Sequence, residues 1–443
     1  MNKKLTEFNE KLKNSKIAII GLGVSNLPLL DYLYELNANV TIFSDNKIEI
    51  DLSKYNYQVH EDGLKDLIGF DIIFRSPGCL PTRPEIQKEI ERGAYVTTEV
   101  NEVVRLTPSK VIGITGSDGK TTTTTLIDLV LRNSNYKTFL GGNIGTPLFT
   151  KIKDMTSDDI VVLELSSFQL MDMTTSPDIS VITNITPNHL DKHKDMDEYI
   201  ASKCNIFKYP GSVLVLNDDN EITKNLQSNR EIRYFSRTHK TNAFYVLDNA
   251  IYKDNKLILK GTDLHLRGIH NLENICTVLS ATYDLIDIDA ALKAIKEFKG
   301  VEHRLEFVRE INGVKWYNDS VSSSPTRAIA GLNSYTEKIV LIAGGYDKNL
   351  DYSPLAEPIL KHVSKLILFG ATKNKIYNAV TSIKKDEPIE IYVLNTLSEV
   401  ITKANEVATS GEVVLFSPAS ASFDMFKNFA DRGNQFKELV DKL

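Results

Sequence analysis

A glycine-rich segment in the middle of the chain has the residue types that bind phosphate groups. Residues 116–121 read Gly-Ser-Asp-Gly-Lys-Thr, the apolar run 111–114 precedes them, and further threonines and an apolar helical pattern follow. This order predicts a strand, a tight turn and the start of a helix, where backbone N–H groups, a lysine and a hydroxyl can bind phosphate and Mg²⁺. The residues that we expect at this site are Gly116, Ser117, Asp118, Gly119, Lys120, Thr121 and Thr122.

The segment departs from the strict nucleotide-binding pattern at one position. That pattern has a glycine five residues before Gly119, where this chain has Ile114. A glycine turn with a surface lysine is the alternative. The strand, turn and helix around the segment favour a phosphate loop.

Three polar residues further along the chain, Glu164, His189 and Asp191, could bind a cation near this loop. Glu164 lies at the end of an apolar run, where burying a carboxylate is costly unless it is paired or binds a cation such as Mg²⁺. A solvated strand end is the alternative. His189 and Asp191 follow the next predicted strand, although a single loop histidine is more often ordinary surface chemistry. Lys203 lies in a predicted helix, a position typical of solvated surface.

A second glycine turn lies near the start of the chain. The predicted strand 16–20 ends at Gly21-Leu22-Gly23, and Asp45 follows the glycines by about 20 residues. This spacing is typical of a dinucleotide-binding fold in which the acid binds a ribose. Asn26 replaces the third glycine of that pattern, which weakens the prediction of NAD binding.

The composition predicts a folded protein that acts on small molecules. The 443 residues are 42% hydrophobic and 25% charged, and the formal net charge is −6. This balance argues against nucleic acid or an anionic membrane as the main partner. Three widely separated cysteines indicate neither a disulfide framework nor a zinc site. The first apolar run is too short for a signal sequence or membrane span, and the cysteines fit a reducing cytoplasm, so we expect a cytoplasmic protein. We also expect a monomer.

Alternating strand and helix patterns predict an α/β protein with three domains, each containing a mainly parallel sheet. The length agrees, at roughly 150 residues per domain. We place the domains at residues 1–108, 109–301 and 302–443, with a small β-rich insertion in the second at about 242–270. Ligands of such sheets bind at the carboxyl ends of strands, so we expect the functional residues there.

Several motifs occur in the order seen in the Mur ligases. They are the phosphate loop 115–122, Gly-Asn-Ile-Gly at 142–145, Glu-Leu-Ser-Ser-Phe-Gln at 164–169, the segment 184–191 with Lys203, and His-Arg at 303–304. Further motifs resemble the members that add D-glutamate. They are Asn-Asp-Ser at 318–320 with Ser-Ser-Pro-Thr at 323–326, Gly-Gly-Tyr-Asp-Lys at 344–348, and Ser-Pro-Ala-Ser-Ala-Ser-Phe-Asp at 417–424. The resemblance covers essentially the whole chain.

The resemblance implies an ATP-dependent ligase of peptidoglycan precursor synthesis, with a P-loop domain between two Rossmann-like domains. In such an enzyme ATP phosphorylates the carboxylate of UDP-N-acetylmuramoyl-L-alanine. The amino group of D-glutamate then attacks the acyl phosphate through a tetrahedral intermediate. Two anions must be brought together, which metal ions, a lysine and tight positioning can achieve.

The resemblance also implies roles for the residues around the phosphates. Lys120 and the loop amides would hold the β- and γ-phosphates, and Thr121 and Glu164 would bind one Mg²⁺ ion. His189 and Lys203 would belong to a second Mg²⁺ site, Lys203 as a carbamate, because carbamylation turns a cationic amine into an anionic oxygen ligand.

The remaining contacts implied by the resemblance fall into three groups. Those to the nucleotide are Asn271, Arg304 and Asp319. Those to D-glutamate are Ser323, Lys348, Ser422 and Phe423. Those to the UDP-substrate are Gly23, Val24, Ser25, Asp45, Asn46, Ser76, Pro77, Gly78 and Asn143, the last positioning the acyl phosphate.

Other functions remain open at this point. Another Mur ligase or a folylpolyglutamate synthase would share the phosphate loop and the Lys203 pattern, and only the motifs of the third predicted domain separate them. An NAD-dependent oxidoreductase built on the first glycine turn, or a nucleotide-binding regulator without turnover, would leave the motifs of the second predicted domain unexplained.

Overall fold

The computed structural model describes residues 2–190, 192–266, 268–348, 350–384 and 389–443. Asp191, which we expected near the cation site, lies outside the described residues. The chain divides into two compact units, Met1–Asp263 with Ile269–Lys296 and Leu264–Gly268 with Glu297–Leu443. Within the described ranges, every helix is too short or too polar to span a membrane. The boundaries between the three predicted domains stay predictions.

The first sheet belongs to the first unit and has five parallel strands in the order β3-β2-β1-β4-β5. Its strands are β1 (Lys16–Ile20), β2 (Asn39–Phe43), β3 (Gln58–His60), β4 (Ile72–Arg75) and β5 (Tyr95–Thr97), and the helices around it are α1 (Lys3–Lys13), α2 (Leu27–Glu35), α3 (Pro84–Glu91) and α4 (Glu99–Leu106). The three strands expected here are present. Strands β3 and β5 were not expected, because three residues carry little periodicity.

The second sheet also belongs to the first unit and has six parallel strands in the order β11-β10-β9-β6-β8-β7. Its strands are β6 (Lys110–Thr115), β7 (Thr138–Gly142), β8 (Ile160–Glu164), β9 (Ile179–Ile182), β10 (Val213–Asn217) and β11 (Glu231–Phe235). Its α-helices are α5 (Lys120–Asn133), α6 (Ser167–Leu170), α7 (Met196–Cys204), α8 (Ile269–Thr282) and α9 (Ile288–Glu297), and short 3₁₀ helices lie at Phe149–Asp154, Asn205–Phe207, Thr223–Asn225 and Gly261–Asp263. The central strands are buried on both faces, which is why they read as continuous apolar runs.

A three-stranded antiparallel sheet lies within the range where we expected a β-rich insertion. Its strands are β12 (Phe244–Leu247), β13 (Ala250–Lys253) and β14 (Lys256–Lys260). Asp248 and Asn249, then Asp254 and Asn255, form the two turns with positive φ. These residue types adopt that conformation more readily than others, so the turns form tight hairpins.

One hydrophobic core joins the first two sheets. It extends from Leu5 in α1 to Leu216 in β10. At its centre Phe8 packs edge-to-face on Phe74 of β4 and on Phe149, with ring centroids 6.5 and 6.2 Å apart. Phe149 follows the second sheet's β7 in the chain. This shared packing is the reason why both sheets fall within a single compact unit.

The second unit contains a six-stranded sheet in the order β15-β16-β20-β17-β18-β19. Its strands are β15 (Glu306–Ile311), β16 (Val314–Asn318), β17 (Ile339–Ala343), β18 (Val363–Leu368), β19 (Glu390–Val393) and β20 (Val413–Phe416), and its helices are α10 (Pro325–Leu332), α11 (Ser353–His362), α12 (Lys373–Ile383), α13 (Leu397–Val407) and α14 (Phe429–Val440). Only β15 and β16 pair antiparallel in this sheet, through a turn at Asn312-Gly313. We did not predict this hairpin, although Asn-Gly is a strong hairpin signal.

The turn after β17 needs glycine, which gives a test of the fold. Gly344 has a φ of +121°, and a Cβ atom there would lie 1.8 Å from the carbonyl oxygen of Phe369. Gly344→Ala should therefore lower the free energy of unfolding by about 2 kcal/mol or more. Gly411→Ala is the control, because its φ is +92° but no atom lies within 4 Å of the added Cβ.

Urea unfolding of both variants can be followed by the fluorescence of Trp316, the only tryptophan of the chain, which is buried in the same unit. Equal unfolding midpoints for Gly344→Ala and Gly411→Ala would contradict the close approach at Phe369.

Candidate active site

The phosphate loop connects β6 to α5 at the carboxyl edge of the second sheet. Gly116 and Gly119 have φ values of +150° and +78°. A Cβ atom on Gly116 would lie 1.9 Å from Oγ1 of Thr183, whose hydroxyl donates a hydrogen bond to the Asp118 carbonyl at 2.6 Å. Gly119 is the N-cap of α5 and has no side chain to cap it. The first N–H groups of α5 can therefore bind an anion.

Two lysines contact the same turn. Lys120 Nζ donates to the carbonyl oxygens of Gly116 and Ser117, both at 2.9 Å. Lys203 Nζ donates to the Gly116 carbonyl at 2.7 Å and lies 3.4 Å from Oγ1 of Thr115. The two amine groups thus meet at the Gly116 carbonyl.

Lys203 is only 2% exposed, unlike a typical helix lysine. Tyr199, one turn earlier in α7, lies on the same face of the helix, and its hydroxyl is 3.0 Å from Oγ of Ser117. That face of α7 packs on the phosphate loop, which carries Lys203 inward. Burial, and then the charge of Lys120, lower the pKa of Lys203 to about 7. A substantial fraction of this amine is therefore neutral near neutral pH.

Glu164 ends β8, and its neighbour in the adjacent strand β6 is Ile114. It is 1% exposed. Oε1 accepts a hydrogen bond from Nδ2 of Asn143 at 2.7 Å, and the Asn143 N–H donates to the Glu164 carbonyl at 2.8 Å. Oε2 is buried and has no hydrogen-bond partner among the described residues. A buried unpaired carboxylate oxygen, with the Thr121 hydroxyl on the first turn of α5, suits a hard cation such as Mg²⁺.

Two histidine rings contact Phe168 of α6. His189 is exposed on the loop after β9, has a φ of +56°, and its ring centroid lies 5.3 Å from that of Phe168. His193 stacks on Phe168 at 5.1 Å, with Nε2 2.9 Å from Oγ of Ser167 and Nδ1 3.2 Å from a carboxylate oxygen of Glu198. We did not predict His193. The repeat of histidine four residues after His189 was the available signal.

Asn271 lies in α8, which packs against α5. Its Oδ1 accepts a hydrogen bond from Nδ2 of Asn274 at 3.3 Å. A Cβ atom on Gly119 would lie 2.5 Å from Oδ1 of Asn274. The structure therefore places this helix segment beside the phosphate loop, as a nucleotide contact requires.

In the second unit, Asp319 lies buried at the carboxyl end of β16. It accepts hydrogen bonds from the hydroxyls of Ser322 and Ser417 at 2.5 and 2.8 Å, and from the N–H of Leu305 at 3.2 Å. Burial raises the pKa of Asp319 to about 6, although these three hydrogen bonds and, to a smaller extent, the Arg304 charge oppose the rise. Arg304 and Asp319 are thus neighbours in this unit.

The loops after β17 and β20 lie together in the second unit. Tyr346 donates its N–H to the Ala421 carbonyl at 2.9 Å. Lys348 is exposed, with Nζ 5.8 Å from the centroid of the Phe423 ring. Ser422 is buried, and Ser323 is partly buried just before α10. The structure thus brings Lys348 beside Phe423, and it gives no direct contact between Ser323 and these residues.

Arg432 of α14, which we did not predict, connects two of these loops. Its guanidinium is fully buried and donates to the carbonyls of Ser420 and Ala421 at 3.0 and 2.9 Å and to that of Ser320 at 2.7 Å. Burial lowers the pKa of Arg432 to about 10, so it remains a cation at neutral pH. It therefore fixes the loop before Ser422 relative to the segment after Asp319.

A cavity of about 550 Å³ lies at the carboxyl edge of the first sheet. Of the predicted UDP contacts, Asp45, Asn46, Ser76 and Gly78 line it. Gly23, Val24, Ser25, Pro77 and Asn143 do not, and Val24 is 78% exposed. Gly21, the first residue of the glycine turn expected here, also lines the cavity. The lining residues that we did not predict are Ile20, Ser44, Cys79, Leu80, Thr82 and Arg83.

Two features in or near this cavity affect which ligand it can bind. Arg83 Nη1 donates to both carboxylate oxygens of Asp45, at 3.0 and 2.8 Å, so a cation is held at the cavity wall. Asn26 is fully buried under the glycine turn, and its Nδ2 donates to the carbonyls of Ile20 and Gly21 at 3.2 and 3.0 Å. The third glycine of a dinucleotide-binding pattern allows close helix packing at this point. Asn26 instead fills the space.

Glu99 supports the segment that follows Asn143. It is the first residue of α4, is buried, and accepts hydrogen bonds from the N–H groups of Leu148 and Phe149 at 2.7 and 2.8 Å. Burial raises the pKa of Glu99 to about 7, although these two bonds oppose the rise. The segment after the 142–145 loop is thus held by a carboxyl group that gains a proton near neutral pH.

Two sequence profiles match this chain. The profile described as Mur ligase middle domain matches residues 114–282, and the one described as Mur ligase, glutamate ligase domain matches residues 303–420. Among similar curated proteins are two named UDP-N-acetylmuramoylalanine--D-glutamate ligase. The one from Clostridium botulinum (strain Okra / Type B1) is 45% identical and the one from Acetivibrio thermocellus 46%, each over 100% of both chains.

Solved structures with a similar fold include two from Thermotoga maritima. UDP-N-acetylmuramate-alanine ligase MurC has a TM-score of 0.62 at 19% identity, over 97% of this chain and 99% of that one. MurF ligase in complex with ADP has a TM-score of 0.57 at 17% identity, over 98% and 97%. At these identities the likeness concerns the fold alone.

The raised pKa of Glu99 predicts a pH dependence of stability. Because the folded pKa lies above the usual 4.5, the folded state binds more protons between pH 4.5 and about 7. The stabilisation is therefore complete below pH 4.5 and is lost as the pH rises to about 7. Glu99→Gln does not titrate, so its stability relative to the wild type should improve by roughly 2–3 kcal/mol from pH 5 to pH 8.

Urea denaturation of the wild type and Glu99→Gln at both pH values measures this difference. Glu7→Gln, on an exposed face of α1 in the same unit, is the control. The same stability difference between Glu99→Gln and the wild type at pH 5 and pH 8 would contradict the raised pKa.

Proposed function

The chain belongs to the Mur ligase family, and on that premise we propose that it catalyses the ATP-dependent addition of D-glutamate to UDP-N-acetylmuramoyl-L-alanine. The observation that carries the proposal is the arrangement of groups at one edge of the second sheet. Glu164, Asn143, Lys120 and Lys203 converge there around a phosphate loop. A ligase that activates a carboxylate with ATP needs this set.

The reaction requires the carboxylate of the UDP-substrate to attack the γ-phosphate of ATP, which breaks the bond between the β- and γ-phosphates and releases ADP. Backbone N–H groups of the loop and Lys120 would hold the β- and γ-phosphates and offset their charge. The acyl phosphate that forms would lie near Asn143, whose amide is oriented by Glu164. The neutral amine of D-glutamate then attacks the acyl carbon, and the tetrahedral intermediate releases phosphate and a proton to leave an amide bond.

The donor set fits Mg²⁺. Glu164 has a buried oxygen without a hydrogen-bond partner among the described residues, and Thr121 offers a hydroxyl at the start of α5. When bound, Mg²⁺ would offset phosphate charge and polarise the transferred phosphoryl group. We place a second Mg²⁺ near His189 and Lys203, with Lys203 as its carbamate. The burial of Lys203 beside the loop supports this role, since a charged amine there repels both Lys120 and a metal ion.

The substrates would use the other strand ends. We assign the UDP moiety to the cavity lined by Asp45, Asn46, Ser76 and Gly78. We assign D-glutamate to Lys348, Ser422, Phe423 and Ser323, where Lys348 would pair with a carboxylate. Asn271, Arg304 and Asp319 would contact the nucleotide. A monomer in the cytoplasm, without nucleic-acid partners, stays a prediction.

The rival functions have less support. A different Mur ligase or a folylpolyglutamate synthase would share the phosphate loop, but relatives that match this chain over their full length carry the D-glutamate ligase name. The oxidoreductase hypothesis needs a third glycine at Asn26, whose buried side chain occupies that space.

A dual-substrate assay tests the proposed function. The purified protein should release phosphate from ATP only when UDP-N-acetylmuramoyl-L-alanine and D-glutamate are both present. Lys120→Ala should lower kcat by about 100-fold or more, because a charge next to the transferred phosphate is lost. Lys110→Ala is the control, since Lys110 is exposed at the opposite end of β6. Release with L-lysine, diaminopimelate or folate in place of D-glutamate would reassign the substrate.

Carbamylation of Lys203 has its own test. Lys203→Ala should be nearly inactive, and a small carboxylate such as acetate should restore part of the activity by supplying the missing oxygen ligands. Acetate should not restore the activity of Lys120→Ala, because that variant lacks a positive charge, which acetate cannot supply. Full activity of Lys203→Ala without acetate would refute the carbamate.

A further inference from the structure

Arg75 is a fully buried arginine at the end of β4 that neither the sequence motifs nor the proposed reaction include. Its guanidinium forms a two-pronged ion pair with Asp172, with Nε 2.6 Å from one carboxylate oxygen and Nη2 bonded to the other. Nη2 also donates to the Phe168 carbonyl at 2.8 Å. Nη1 donates to the carbonyls of Cys79 and Ser76 at 3.1 and 3.4 Å. All five N–H groups therefore have an acceptor.

These acceptors belong to two different functional segments. Ser76 and Cys79 line the cavity that we assign to the UDP moiety. Phe168 lies in α6, which begins three residues after Glu164, and its ring contacts those of His189 and His193. Both segments lie in the first compact unit, but they come from different sheets. In addition to the shared core, one side chain therefore bridges the cavity wall and the helix that follows Glu164.

We propose that Arg75 is a positioning residue, which fixes the UDP-binding loop relative to α6 so that the substrate carboxylate stops at the transferred phosphate. This inference rests on the proposed function. A substrate held at its UDP end must place its other end within near-attack distance of the γ-phosphate, and a misplacement of about 1 Å can cost about 100-fold in rate. Arg75 does not touch the reacting atoms and acts through the two segments.

The geometry suits arginine rather than lysine. A planar guanidinium can direct its N–H groups toward acceptors on three sides, whereas an ammonium group has three donors and no fixed plane. Arg75→Lys keeps a positive charge beside Asp172 and so avoids leaving that carboxylate unpaired. It cannot bridge Asp172, Phe168 and the cavity loop at once. The variant therefore loosens the connection without removing the ion pair.

The test compares turnover with binding at each half of the site in the full-length protein. For Arg75→Lys we expect kcat in the dual-substrate assay to fall about 10- to 100-fold. Calorimetric dissociation constants for UDP alone and for Mg²⁺-ADP alone should change less than about two-fold, because we assign UDP to the cavity loop and ADP to the phosphate loop, and neither ligand spans the connection that Arg75 makes. Asp172→Asn, which weakens the same connection from the other side, should lower kcat about three- to ten-fold with the same unchanged constants.

Arg230→Lys is the matched control. Arg230 also connects loops, by donating to the carbonyls of Pro177 and Tyr209 and to the hydroxyl of Ser180, but at the amino ends of the second sheet's strands. It should keep kcat within about two-fold. Thermal melting shows whether each variant is folded. If Arg75→Lys does not fold, the kcat and the two dissociation constants of Asp172→Asn test the inference instead.

Two results would overturn the inference while leaving the proposed function intact. One is an unchanged kcat in every folded variant at Arg75 and Asp172. The other is a rise in the UDP and Mg²⁺-ADP dissociation constants by the factor by which kcat falls, which would indicate general loosening. A wild type without phosphate release from the two substrates would overturn the proposed function itself, and the inference with it.

Discussion

The burial of one carboxylate determines much of this structure. Glu164 lies at the end of a strand that is buried on both faces, and one of its oxygens has no hydrogen-bond partner among the described residues. Burying such a group is costly unless a cation compensates its charge. Asn143 satisfies the other oxygen, and the phosphate loop lies at the adjacent strand end. Lys120 and Lys203 contact that loop through the Gly116 carbonyl.

The second unit also contains a buried charged side chain, which in this case is a cation. Arg432 has no carboxylate partner within hydrogen-bond distance among the described residues, and its bonds go to backbone carbonyls and the Ser320 hydroxyl. Carbonyls on two loops are thereby held at one point. Buried arginines in both units thus have the same structural use, since Arg75 and Arg432 each fix loops that no regular hydrogen-bond ladder holds. Arginine suits this because it stays charged when buried and offers five donors.

Local features could be predicted from the sequence, whereas contacts between distant segments could not. The phosphate loop and its strand and helix are encoded within about one strand-turn-helix unit, so their residue types and spacing sufficed. The insertion was recognisable from its alternating residues. The burial of Lys203 depends on α7 packing on a loop far earlier in the chain, and residue type alone indicates the opposite. Arg75 and Asp172 are 97 positions apart, and no motif connects them. Resemblance to a family suggested a role for Lys203 that stays a proposal, and it gave no indication of Arg75.

The core shared by the first two sheets also bears on how such a molecule could be divided. A cut near residue 108 would follow the change from one sheet to the next, yet it would expose Phe8 and Phe74 on one side and Phe149 on the other. Each fragment would present an apolar face of the kind that leads to aggregation. The segment that contains one sheet is therefore smaller than the segment that can fold and stay soluble by itself. A recombination event that replaced one of these two sheets would therefore also have to bring aromatic residues that pack against those of the other sheet.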